Sequence, residues 1–152
     1  NKIDIEVDHK CLSSCANYLF TAADHKTIRP GAIVAWHGDL TQQPLDEASL
    51  LSSINTSLSA DVPDAEKKKV LAQFKRYVSE GQQQQKIFFE QIGVDAKICS
   101  AGHNFGAEDF FILSVDDMKK FGITSIDAPE NYHLTDLSEF NKKRPFKYVK
   151  IK

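Results

Sequence analysis

The most constraining stretch of this chain is GAIVAWH, residues 31 to 37, a continuous apolar run closed by a histidine. A strand with one wet face alternates apolar and polar residues; an unbroken run from Ala32 to Trp36 needs burial on both faces. Such a strand requires a layer on each side, and 152 residues at 41% apolar composition can supply one ordinary core. Upstream, KIDIEVD at 2 to 8 alternates, with Ile3, Ile5 and Val7 on one face, and predicts a half-buried strand. HKCLSS reads as a loop. From Ser13 or Ser14 the spacing turns helical, with Cys15, Tyr18, Leu19, Ala22 and Ala23 on one stripe and a serine at the N-cap position. Asp24 and a turn, HKTIRPG, then lead to the buried strand. Strand, helix, strand is the unit of an α/β fold.

The middle of the chain is helical. Residues 45 to 58 predict a short helix, and a long one follows, opened by Asp61, Pro63 and Asp64 and closed by Gly93. Val70, Phe74, Tyr77, Val78, Phe88 and Ile92 recur at helical spacing and read as core, interrupted by the glutamine run 82 to 85. Further on, LSVDDMKKFGI predicts a compact helix with Ser114 as N-cap and Gly122 as the stop, and Ile123 to Ile126 a strand.

Overall charge says little about partners, but its distribution is uneven. The formal net value is −2, yet NKKRPFKYVKIK at 141 to 152 carries six basic residues and no acid. It predicts a solvated basic tail, because one tail without a second basic face is a poor nucleic-acid footprint. No run is long and apolar enough to span a bilayer, so neither a nucleic acid nor a membrane span is expected. A start at Asn1 rather than Met is what removal of a leader or an upstream segment would leave.

Chemistry concentrates in CLSSC, 11 to 15, and CSAGH, 99 to 103. Each places two metal-capable residues four positions apart, so Cys11, Cys15, Cys99 and His103 form one set of zinc-type ligands, though at looser spacing than a CxxC knuckle. A disulfide from Cys99 to Cys11 or Cys15 is a second reading, and buried thiols a third. A thioredoxin-like pair fits worse, since it needs two intervening residues where this motif has three. Nucleophilic catalysis is the remaining possibility. A serine at a sharp turn from strand into helix lies where amide groups and the helix dipole stabilise an oxyanion. His37, ending a buried strand beside Gly38, emerges where a general base can reach it.

The order CxSxC, apolar helix, Pro-Gly turn, apolar strand ending in His, long helical insertion and LSxxDxxxFGI resembles the Clp protease proteolytic subunit and the wider Clp protease/crotonase fold. It is most similar to predicted periplasmic or secreted bacterial relatives whose serine lies between two cysteines. The resemblance runs from Cys11 to about Ile126 and is strongest in CLSSCANYLFTAADHKTIRPGAIVAWHG and FFILSVDDMKKFGITSI. It implies an α/β fold of repeated β-β-α units, one domain over 1–152 lacking its upstream strands, with a helical insertion at 45–93 after the His-bearing strand. Carried over by position, it implies Ser13 rather than Ser14 as nucleophile, the Ser14 amide as an oxyanion donor, and His37 as base. The family's acid falls on Phe110, so Asp109, one residue earlier, is expected to orient His37, with Glu108 as the next choice. Family members also have a glycine-rich turn upstream that completes the oxyanion hole. Here a dozen residues precede Ser13, so those strands lie elsewhere or half the donors are missing.

The resulting expectation is a serine hydrolase, an ATP-independent peptidase acting on peptide or protein through a Ser-His-Asp triad, with no cofactor and no metal. By resemblance it is a homo-oligomer in the periplasm or outside the cell, where a disulfide is permitted. The alternative is a catalytically weak or inactive binding or assembly module of the same fold. A crotonase-like acyl-thioester enzyme is a third reading, disfavoured by a histidine at the triad position.

Overall fold

The computed structural model of the chain describes residues 2–42, 46–57 and 62–152, and is mixed α/β with small parallel sheets and one long helix. It divides into two compact units, Asn1–Asp39 with Phe89–Lys152, and Leu40–Phe88.

The first unit opens with β1 (Asp4–Val7) and β2 (Lys10–Leu12), then a short helix, Cys15–Phe20, of the wide π type. Two strands follow, β3 (His25–Ile28) and β4 (Ile33–Ala35). β1 pairs in parallel with β3, while β2 pairs in parallel with β4 in the register Cys11 to Val34 and Leu12 to Ala35. Every residue of β4 is buried, as its unbroken apolar run requires. Tyr132, buried itself, seals that strand: its hydroxyl accepts from Val34 N–H at 2.9 Å and faces Val34 C=O at 3.3 Å. Tyr132→Phe leaves a buried amide unpaired and is expected to cost about 1–3 kcal/mol, read as a lower denaturation midpoint at unchanged m-value.

Two predicted loops contain strands. β2 occupies HKCLSS and β3 occupies HKTI, both too short and too polar to give a period-2 pattern. Lys26 can sit buried in β3 because its ammonium donates to Ala23 C=O at 2.6 Å and Thr124 C=O at 3.1 Å. Burial moves its pKa down from the ordinary lysine value. In β1 the predicted apolar face is only partly used: Val7 is buried and Ile3 is 65% exposed. The stripe read on the first helix is also displaced. Ala16, Asn17 and Phe20 face inward, while Leu19 is 63% exposed, because the wide winding breaks the 3.6-residue spacing and a polar residue shares the inner face.

The second unit holds α1 (Glu47–Ser57) and most of α2 (Asp64–Ile92). Leu50, Ile54 and Leu71 form its cluster, with Leu51, Val70 and Phe74 packed against them. Tyr77, read as core, is 63% exposed. Of the predicted boundaries here, residues 45, 58 and Asp61 lie outside the described residues. The last turn of α2 falls in the first unit, so the insertion expected at 45–93 corresponds to a unit at 40–88.

In the rest of the first unit, β5 (Phe110–Leu113) leads into α3 (Val115–Lys120), and β6 (Ile126–Asp127) pairs with β3. Ser114 caps α3 by accepting from Asp117 N–H, and Gly122, at φ +94, ends it as expected. The predicted strand at 123–126 is reduced to its final residue and Asp127. The C-terminal segment is not a solvated tail: it contains β7 (Phe146–Val149), parallel to β5. Its lysines occupy exposed positions while Phe146 stacks on Phe110 with ring centroids 4.8 Å apart, so basic composition concealed a strand. Trp36 and Phe111 exchange backbone hydrogen bonds of 3.0 and 2.8 Å, which joins the end of β4 to β5. No helix among the described residues is long and apolar enough to cross a membrane.

Candidate active site

The β2–β4 ladder sets the first half of the site. Ser13 follows the last residue of β2 and continues the pairing, its N–H donating to Ala35 C=O at 3.1 Å. Its backbone then turns at φ +57, a left-handed conformation that costs a non-glycine residue roughly 1–2 kcal/mol. Two further restraints hold the turn. Ser13 C=O accepts from Asn17 N–H at 2.8 Å, and a disulfide joins Cys11 to Cys15 around it, with Cα atoms 5.2 Å apart. The hydroxyl is thereby lifted out of the helix it was expected to cap. Ser14 occupies the N-cap position with helical dihedrals and no side-chain cap bond.

The second half comes from β4. Beyond Trp36, whose backbone is fixed on Phe111, His37 turns its ring toward β2, and Nε2 lies 2.7 Å from Ser13 Oγ. With the ring proton on Nδ1, the serine hydroxyl donates to Nε2, the arrangement in which a histidine acts as base. Phe110 covers the imidazole at a centroid distance of 4.7 Å, and Phe110 is itself stacked on Phe146 and overlain by the Arg144 guanidinium at 5.5 Å. The segment expected to be a tail therefore supplies a wall of the site. The His37 carbonyl faces His103 Nε2 at 3.3 Å, and His103 Nδ1 lies 3.0 Å from Ala107 C=O.

The expected acid is elsewhere. Asp109 Oδ2 pairs with Arg144 Nε at 3.3 Å, and Phe110, the residue aligned with the family's acid, is the one against His37. Among the described residues no carboxylate makes a hydrogen bond or ion pair with His37; Glu108 is exposed. Asp109 lies in a bend just before β5 and Phe110 is the first residue of the strand, so the one-residue slip puts the carboxylate on Arg144 and the phenyl ring on His37. The slip is not absorbed.

The cysteines are also rearranged. The bridge joins Cys11 to Cys15, and Cys99 is a free, buried thiol, so the reading with a bridge from Cys99 fails and the buried-thiol reading holds for Cys99 alone. The zinc set loses two of its ligands to the disulfide, and no group of three or more His, Cys, Asp and Glu among the described residues is placed to hold a metal ion. Burial, with the Asp39 carboxylate adding to it, pushes the Cys99 thiol far above its ordinary value and keeps it protonated. A thiol reagent is therefore expected to find no reactive group in the native protein, one thiol after unfolding without reductant, and three after reduction.

Asn17, Phe110 and Arg144 were not read as site residues from the sequence. The signal for Asn17 was the polar residue interrupting the inward face of the first helix. Two concavities among the described residues have linings without the serine and histidine: one of about 630 Å³ beside Ser114, Asp117 and His133, and one of about 420 Å³ beside Thr21, Lys26 and Ser125. The chain matches no protein family model, no curated protein and no solved structure.

Proposed function

We propose that the protein is a serine hydrolase, with Ser13 as nucleophile and His37 as general base, acting on an acyl group such as a peptide bond. The observation carrying this reading is the 2.7 Å approach of Nε2 to the hydroxyl of a serine held in a left-handed turn between two bridged cysteines. A packing serine needs neither the strained backbone nor a histidine partner.

The chemistry follows from the groups present. Ser13 Oγ attacks the carbonyl carbon as its proton passes to His37 Nε2, and the carbonyl electrons move onto oxygen. The Ser14 amide, at the start of a helix where first-turn N–H groups lack intrahelical partners, is the donor available to that oxyanion. Collapse of the intermediate expels the leaving group, which takes the proton from His37, and leaves an acyl ester on Ser13. Water attacks that ester, His37 accepts its proton, and Ser13 is regenerated. The step uses no cofactor.

The pairing of Asp109 with Arg144 favours a second reading, in which the fold is retained as a weak catalyst or binding module. A histidine without an acid behind it has no charge to stabilise its imidazolium. The Clp protease/crotonase relationship, a homo-oligomeric state and an oxidising location, periplasmic or extracellular, belong to the same proposal; the Cys11–Cys15 bridge supports the last of these. Covalent capture by a fluorophosphonate decides between catalyst and module: a folded protein that never reacts is a module.

A further inference from the structure

Asn17 lies one helical turn beyond Ser13, and its side-chain donor is used on the chain that carries the base. The residue is 3% exposed, and Nδ2–H donates to Gly38 C=O at 3.0 Å. Its backbone N–H holds Ser13 C=O, and its own carbonyl accepts the Thr21 hydroxyl. Oδ1 is buried as well and has no hydrogen-bond partner among the described residues. The two backbone contacts are those of any helix, but a helix packed against a core needs neither the side-chain donor nor the orphaned acceptor. A leucine at 17 would bury on the same face as Ala16 and Phe20 and remove the orphaned Oδ1, while leaving the buried Gly38 C=O without this donor.

What the amide does in return is visible in what it joins. The β2–β4 ladder holds the serine side of the site as far as Ser13 N–H to Ala35 C=O, after which the base-bearing chain leaves it and pairs with Phe111 through Trp36. His37 and Gly38 lie past that pairing. The Asn17 amide reaches back from the serine's own helix to Gly38, while His103 contacts the His37 carbonyl. We infer that Asn17 is a positioning residue: by holding Gly38 it keeps the His37 ring within hydrogen-bond distance of Ser13. The inference rests on the hydrolase reading, and goes beyond it by giving a role to a side chain that touches neither reacting atom.

Asn17→Leu removes the donor and the orphaned acceptor together. Because losing the orphaned Oδ1 offsets the loss of a donor to Gly38 C=O, the variant is expected to change Tm little while its fluorophosphonate labelling slows about ten- to a hundredfold, since small displacements of a catalytic group cost that much. With a turned-over ester the loss falls in kcat and leaves KM unchanged. The His37 imidazole nitrogen resonances are expected to shift as well, and that readout requires no activity. Unreactive wild-type protein would sink the hydrolase reading, and the resonances alone would then decide the role of Asn17. Unchanged resonances with an unchanged labelling rate overturn the inference, as does a rate loss that merely follows a lowered Tm. Should Asn17→Leu fail to fold, Asn17→Ala serves in its place: it removes the donor without adding bulk or charge, so slowed labelling supports the inference and wild-type labelling overturns it.

Discussion

Ser13→Ala is expected to lower acyl-transfer activity by about 10³–10⁴-fold or to background, whereas Ser14→Ala is expected to stay within about threefold of wild type. The two serines are adjacent and chemically identical, so the contrast isolates geometry. Ser13 carries the hydroxyl that meets His37, while the Ser14 hydroxyl is exposed and makes no cap bond. The only group assigned to Ser14 is its amide, which alanine retains. Stability separates the variants in the opposite sense to a packing role. Ser13 sits at φ +57, so Ser13→Gly removes the same hydroxyl while relieving backbone strain, and should be more stable than Ser13→Ala by about 1 kcal/mol in a denaturation series. Both variants are expected to be equally inactive. An Ala variant with wild-type turnover would remove Ser13 from the chemistry whatever its stability.

His37→Ala is expected to lower the rate by about 10²–10⁴-fold, the usual contribution of a positioned base, with free imidazole restoring part of it. Serine is a poor nucleophile at its own pKa, and among the described residues Nε2 of His37 is the base placed on its hydroxyl. The companion result concerns Asp109. As the acid of a triad it would be worth about 10⁴-fold in kcat, but its carboxylate is held by Arg144 and not by His37. Asp109→Asn is therefore expected to change turnover by less than about threefold and to act mainly through the loss of a partly exposed ion pair. A loss of several thousandfold in Asp109→Asn would show that the carboxylate reaches His37 during the reaction.

Legibility in the sequence followed the length and contrast of the signal. α2 and β4 could be read directly, the first from a helical repeat bounded by Asp64 and Gly93, the second from an apolar run without alternation. β2, β3 and β7 could not. Three or four residues give too little period, and in each a charged residue takes a strand position, as Lys26 does by finding carbonyl partners and Lys147 by pointing outward. Ser13 and His37 were singled out through the family resemblance, since taken alone the serine reads as a helix cap and the histidine as a packed strand end; the structure brings the two within 2.7 Å. The acid was not legible, because it depends on which of Asp109 and Phe110 faces His37, and that is decided by a bend before β5 and by the Arg144 partner, neither of which leaves a sequence signal. The disulfide partner was equally hidden: Cys11, Cys15 and Cys99 permit three pairings, and only the turn at Ser13 brings two of them together.

The central claim is that Ser13 is an activated nucleophile. Its most direct test is incubation of the folded protein with a fluorophosphonate followed by peptide mass mapping of the adduct. The account predicts one adduct per chain, on Ser13 within the bridged segment from Cys11 to Cys15, lost in both Ser13→Ala and His37→Ala and retained in Ser14→Ala. An adduct on any other residue, or a folded protein that stays unmodified, would contradict it.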